Sequence, residues 1–128
     1  MKKRIRRVIV AGGVNFVDYG TLKSTLDEYF KNTSEEEIEI VSGHAKGADS
    51  LGERYADENS IKCTIFPADW KKYGRAAGPI RNRQMLEYAM EQNASLVAFW
   101  NGESKGTKNM ISIAEKAGIE VKIIYYQK

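Results

Sequence analysis

The stretch SGHAKGAD at Ser42–Asp49 follows a short apolar run, Ile38–Val41. A strand, a glycine-bearing turn and a helix start, in that order, aim backbone N–H groups at an anion. Gly43 and Gly47 allow a tight bend and the close approach of a ligand, or serve turn geometry alone. Ser42 can donate to a phosphate oxygen or cap its own turn. Asp49 can cap helix N–H groups, accept from a ribose hydroxyl, or do acid–base work. His44 sets an imidazole, a proton carrier near neutral pH, on the same turn.

A second stretch of this kind, NGESKGT at Asn101–Thr107, follows the run Leu96–Trp100. Ser104, Gly106 and Thr107 open a helix there, and N–H groups with two hydroxyls make a phosphate nest. Thr107 reads otherwise as a plain N-cap. Asn101 and Glu103 line the same loop, and Lys105 adds charge or faces water. Between the two stretches lies Asp69–Arg83, a basic segment read as one long loop that includes RAAGPIRNR. Arg75, Arg81 and Arg83 are its anion-binding candidates, because a guanidinium meets phosphate oxygens with two parallel donors. Asn82 can hydrogen-bond a base or a ribose. Trp70, after Asp69, can stack on a base or seal the core. The carboxylates at this edge are Asp18, Asp49, Glu53, Asp69 and Glu103. One of them beside a ribose could assist cleavage of an N-glycosidic bond.

These residues need a frame that gathers them. Ile5–Ala11 reads as a strand ending at Gly12-Gly13. Tyr19–Phe30 has Leu22, Leu26, Tyr29 and Phe30 at helical spacing. Asn32–Glu37 is a polar connection and Ile38–Val41 a second strand. Lys46–Glu58 is a helix with Ala48, Leu51, Tyr55 and Ala56 on one stripe. Ile61–Phe66 is a third strand, ended by Pro67. Pro79 suits the first turn of a third helix, whose inner side is Met85, Leu86, Ala89 and Met90. Ser95–Trp100 is a fourth strand, Thr107–Ala117 a fourth helix capped by Gly118, and Glu120–Tyr125 a fifth strand. Strands alternating with amphipathic helices predict a single α/β domain over 1–128. Its expected form is a Rossmann-like, three-layer, mostly parallel five-stranded sheet of order 3-2-1-4-5. Ligands bind such sheets beyond the strands' carboxyl ends, where the order reverses. Gly12–Tyr19, Ser42–Asp49, Pro67–Arg83 and Asn101–Thr107 all fall at that end. Gly12 and Gly13 therefore join the ligand-binding candidates.

Composition excludes several classes. With 128 residues, 42% hydrophobic and 29% charged, the chain has the make-up of a soluble globular domain. No apolar run approaches the roughly 20 residues that span a bilayer, and no signal peptide is found, so the expected compartment is the cytoplasm. One Cys and one His make a Cys/His zinc site improbable, and no metal site is assigned. Cys63, in an alternating apolar run, reads as a small hydrophobe. The net charge of +3 is concentrated at Lys2–Arg7 and in the Asp69–Arg83 segment. The first cluster reads as a solubilising edge. Neither GxGxxG nor GxxxxGK[ST] is present, which disfavours a plain dehydrogenase or P-loop ATPase.

Four stretches together carry a resemblance over nearly the whole chain: AGGVNFVDY at 11–19, VSGHAKGADSLGERYA at 41–56, FPADWKKYGRAAGPIRNRQML at 66–86, and AFWNGESKGTKNMISIA at 98–114. The chain resembles the bacterial and phage YspA-like, YpsA-related family of the SLOG superfamily. That resemblance implies a Rossmann-like fold binding a nucleotide or a nucleotide-derived ligand. Relatives in the superfamily include cytokinin-activating phosphoribohydrolases, the single-strand DNA-binding protein of natural transformation, and nucleotide sensors of anti-phage systems. Val14 and Asn15 stand where the family commonly has Arg and Asp, and His44 replaces a Gly of SGGARGAD. The phosphoribohydrolase pattern GTxxE is broken, with Met110 at the position of its glutamate.

The leading expectation is a phosphorylated small molecule, a ribonucleotide or an NAD-derived ligand, with no resident cofactor otherwise assigned. Its phosphates would lie at the N-termini of the second and fourth helices, with Arg81 or Arg83 neutralising them. The alternatives are an N-glycosidic hydrolase acting on a nucleotide and a single-stranded nucleic-acid binder using Trp70, Lys71, Lys72, Tyr73 and Arg75. A homodimer through Tyr88, Met90 or Tyr125–Tyr126 is left open.

Overall fold

A computed structural model describes residues 4–31 and 36–127. Strand β1 (Arg4–Gly12) leads to helix α1 (Tyr19–Phe30), β2 (Glu36–Ser42), α2 (Ala48–Glu58) and β3 (Lys62–Ile65). There follow α3 (Trp70–Tyr73), a 3₁₀ turn at Gly74–Ala76, α4 (Ala77–Ala89), β4 (Asn93–Trp100), α5 (Lys105–Ala117) and β5 (Glu120–Tyr125). The five strands form one parallel sheet of order β3-β2-β1-β4-β5. This is the expected α/β architecture and strand order. Val8 of β1 lies opposite Ile40 of β2 and Ser95 of β4.

The period-2 alternation of β1 divides the core. Val8 and Val10 point to one face, with Leu22 and Leu26 of α1 and Ala48, Tyr55 and Ala56 of α2. Ile9 and Ala11 point to the other, with Met85, Leu86 and Ala89 of α4 and Met110, Ile111 and Ala114 of α5. A fully buried Leu or Ile contributes about 1.5–3 kcal/mol relative to exposure, so the two apolar layers hold the helices in place. Asp18 caps α1, accepting from Thr21 N–H at 3.0 Å. Gly118, at φ +79°, closes α5.

Three expectations need correction. Asp69–Arg83 is not a long loop, because helix begins at Trp70 and resumes at Ala77 after the 3₁₀ turn. Asp69 caps α3 by accepting from Lys72 N–H at 3.1 Å. Pro79 is the third residue of α4, where its missing N–H is harmless. Arg7, of the N-terminal basic cluster, is not on a solubilising edge either. β1 is central in the sheet, and Arg7 is buried. Its guanidinium donates to Glu39 at 3.2 Å and to the Tyr88 carbonyl at 2.6 Å, and it stacks on the Tyr88 ring. Glu39, also buried, accepts from Thr64 at 2.6 Å and from Tyr88. Burial alone would raise the Glu39 pKa, but these hydrogen bonds and the Arg7 charge hold it below its usual range. Third, β2 starts at Glu36, so Glu36 and Glu37 belong to a strand and not to the polar connection. Lys2 and Lys3, and the Asn32–Glu35 part of that connection, lie outside the described residues.

Beyond β5, Tyr126 N–H donates to the Trp100 carbonyl at 3.1 Å and its ring reaches the β1–α1 loop. Tyr126 packs edge-on against Phe16 at 4.8 Å and donates to Asn15 at 2.6 Å. A Cβ on Gly13 would overlap the Tyr126 hydroxyl.

Candidate functional site

A cleft of about 450 Å³ opens at the carboxyl edge, beside the β1–β4 reversal of strand order. Its floor is Ala11, Met85 and Met110. One wall is the start of α2, with Ala45 and Asp49. The opposite wall is the first turn of α5, Ser104–Thr107. Trp70, Arg75, Gly78 and Arg81 close the third side, and Val14 overhangs from the β1–α1 loop.

Backbone contacts between loops set this shape. Gly13 N–H donates to the Phe99 carbonyl at 3.1 Å, and Ala48 N–H to the Gly13 carbonyl at 3.2 Å. Gly47, at φ +80°, brings its backbone against Gly13 and Val14, where a Cβ would overlap both. At Gly43 the space a Cβ would need is taken by the Arg81 guanidinium and by Asp49 Oδ2. Arg81 Nη1 donates to the Gly43 carbonyl at 2.6 Å, and Nε to Asn82 Oδ1 at 3.0 Å. Asn82, buried, donates to the Gly106 carbonyl at 3.2 Å and to Asn109 Oδ1 at 3.0 Å. A relay of side chains thus ties the β2–α2 turn to α4 and α4 to the first turn of α5.

Asp49 is only 6% exposed. Its Oδ2 accepts from Ala45 N–H at 3.2 Å. Burial pushes its pKa up to about 6, against the opposing pull of that N–H and of Arg81. Burial also lowers the Arg81 pKa, and the Asp49 charge partly restores it. On α5, Asn101 Oδ1 accepts from Glu103 N–H at 2.8 Å and Ser104 N–H at 2.9 Å, folding the loop into the helix. Ser104, not Thr107, is the N-cap residue, and Thr107 sits buried in the third helical position. Their hydroxyls lie 3.3 Å apart. A Cβ on Gly106 would meet only open space.

Of the residues expected to bind, Gly12, Asp49, Trp70, Arg75, Arg81, Asn82, Ser104, Gly106 and Thr107 line this one cleft. Gly13, Gly43 and Gly47 shape it from behind. Ser42 and His44 sit apart from it. Ser42 donates to Glu53 at 2.7 Å, and His44 Nδ1 lies 3.0 Å from the same carboxylate. His44 has φ +61°, a left-handed conformation that glycine adopts without strain. Asp69 and Asn101 cap and turn backbone. Arg83 faces a different groove, with Gln84 and Glu87. Among the carboxylates singled out, Asp49 alone lines the cleft. Cys63 is half-buried, and burial pushes its thiol up to about 11, which removes it as a nucleophile.

Sequence reasoning missed Ala45, Gly78, Pro79 and Asn109 as wall residues. Asn109 carried a usable signal, since it lies three residues beyond Gly106 on the same helical side. The floor residues read only as core. Among the described residues, no group of three or more His, Cys, Asp or Glu could hold a metal ion. Among the described residues, no helix is long and apolar enough to cross a membrane.

Comparison with known proteins gives similarities of different depth. The model of the YspA, cpYpsA-related SLOG family matches residues 6–73, more than half of the chain. Gene 61 protein of Mycobacterium phage D29 is 32% identical over 123 residues, covering 91% of this chain and 94% of that protein. The X-ray structure of DNA processing protein A (DprA) from Streptococcus pneumoniae superposes with a TM-score of 0.47 at 18% identity. That superposition covers 93% of this chain and spans 58% of the length of the DprA chain.

Proposed function

The chain belongs to the YspA, cpYpsA-related SLOG family, and from that premise we propose that it binds a nucleotide or nucleotide-derived ligand in the carboxyl-edge cleft. The observation that carries the reading is one wall of N–H groups faced by cations. The N-terminus of the 13-residue helix α5 opens into the cleft, and Lys105, Arg75 and Arg81 line the same space. Oriented N–H groups and cationic side chains stabilise a phosphate together. Trp70, 60% exposed at the rim, offers a face on which a base can stack. The phosphate is assigned to α5, while the start of α2 supplies Asp49.

Calorimetric titration with ribonucleoside 5′-phosphates and the matching unphosphorylated nucleosides tests this. The phosphorylated forms are expected to bind, and Arg75→Ala with Lys105→Ala to weaken them about tenfold or more, as loss of charge-assisted contacts would. No binding of any nucleoside phosphate would overturn the proposal. Affinity that grows with oligonucleotide length and falls steeply with salt would place the ligand among single-stranded nucleic acids instead.

Asp49 supports a second reading, hydrolysis of an N-glycosidic bond. A buried carboxyl with a pKa of about 6 in a binding cleft is suited to proton transfer near neutral pH. Release of free base by the parent chain, lost in Asp49→Asn while binding persists, would establish it. Absence of base release across the nucleotides that bind would exclude it.

A further inference from the structure

Asp49 and Arg81 stand beside each other around Gly43 without forming an ion pair. The guanidinium carbon and Asp49 Oδ2 each lie 2.8 Å from the Cβ position of that glycine. No Arg81–Asp49 contact within salt-bridge distance occurs among the described residues. Each is instead anchored on its far side, Arg81 to the Gly43 carbonyl and to Asn82, Asp49 to Ala45 N–H. Among the described residues no hydrogen bond reaches Asp49 Oδ1, on a residue that is more than nine-tenths buried and lines the cleft. Arg81 keeps further N–H groups for the same space. Both groups line the cleft with hydrogen-bonding capacity that they do not spend on each other, so one bound group can engage both.

We propose that Asp49 and Arg81 together read the ribose hydroxyls of the bound nucleotide, so that the cleft selects ribonucleotides over sugars lacking those hydroxyls. The inference rests on the nucleotide reading above. A sugar diol supplies what the pair lacks: a hydroxyl proton for Asp49 Oδ1 and a hydroxyl oxygen for the Arg81 N–H. As a carboxylate Asp49 acts as an acceptor only. The α5 wall, across the cleft from Asp49, remains for the phosphate. A dideoxy sugar would cover the Asp49 carboxylate without offering it a hydroxyl, and a site built to pair a hydroxyl discriminates against its absence.

The test compares four ribonucleoside 5′-monophosphates with their 2′,3′-dideoxy counterparts by calorimetry near neutral pH. The ribo forms are expected to bind at least about tenfold more tightly. In Asp49→Asn that ratio is expected to fall towards one, because the amide no longer offers the hydroxyl a carboxylate. Equal affinity of ribo and dideoxy forms for the parent chain overturns this inference and leaves the nucleotide reading standing. Failure of all eight compounds to bind overturns both. The comparison on the parent chain needs no variant to fold. A ratio unchanged in a folded Asp49→Asn chain would also overturn the assignment to Asp49.

Discussion

At the scale of the residue, Asp49 makes stability depend on pH in a defined direction. Its pKa is raised from the ordinary 3.8 to about 6 on folding. The native chain therefore holds this proton more tightly than the unfolded chain. The stabilisation is fully present below pH 3.8 and is lost as pH rises through about 6, a loss on the order of 3 kcal/mol. Asp49→Asn keeps an acceptor oxygen for Ala45 N–H and does not ionise. The variant is expected to gain on the parent steadily as pH is raised across that window. Urea unfolding at a series of pH values measures the difference, and a constant offset between the two chains would contradict the account. Asp49 was legible in the sequence as one of five carboxylates at the edge. What singled it out, its burial beside Arg81, is a long-range contact across α2, α4 and the β2–α2 turn. No local pattern encodes that.

At the scale of the element, the junction of α4 and α5 holds the cleft open at the right width. Asn82 ties the two helices through the Gly106 carbonyl and Asn109, and accepts from Arg81. Asn82→Ala would remove these hydrogen bonds and empty a buried site, with an expected destabilisation of about 1–3 kcal/mol. Denaturant midpoints read this directly, and a change within about 0.5 kcal/mol would mean the bridge is not structural. The sequence reading had Asn82 as a ligand contact, because a polar residue between two arginines resembles surface chemistry. The basic segment was read as a longer loop than it is. Trp70–Tyr73 buries no residue, and α4 buries only Ala77, Asn82, Met85, Leu86 and Ala89. The apolar period that announces a helix is therefore weak until Met85. By contrast, α1 and α5 were legible because Leu22 and Leu26, or Met110, Ile111 and Ala114, recur at helical spacing.

At the scale of the whole molecule, the sheet order follows from the alternation of short apolar strands with helices, and that alternation was readable throughout. The position of β1 was not used to its full consequence. A central strand has neighbours on both sides and helices on both faces, so a charged residue in it must find partners. Arg7 finds Glu39 and Tyr88 on two different elements, joining β1, β2 and α4. Arg7→Met is expected to cost about 3 kcal/mol or more, since it strands a buried carboxylate. Adding Glu39→Leu is expected to return at least about 1 kcal/mol of that loss. A double variant less stable than the sum of the single changes would refute the pairing.

The seating of Tyr126 on Gly13 couples two positions at opposite ends of the chain. A side chain at 13 has to push the ring at 126 aside, and with the ring displaced the grip on Asn15 goes too. The shape of the cleft's overhanging loop is therefore set as much by the residue after the last strand as by the loop itself.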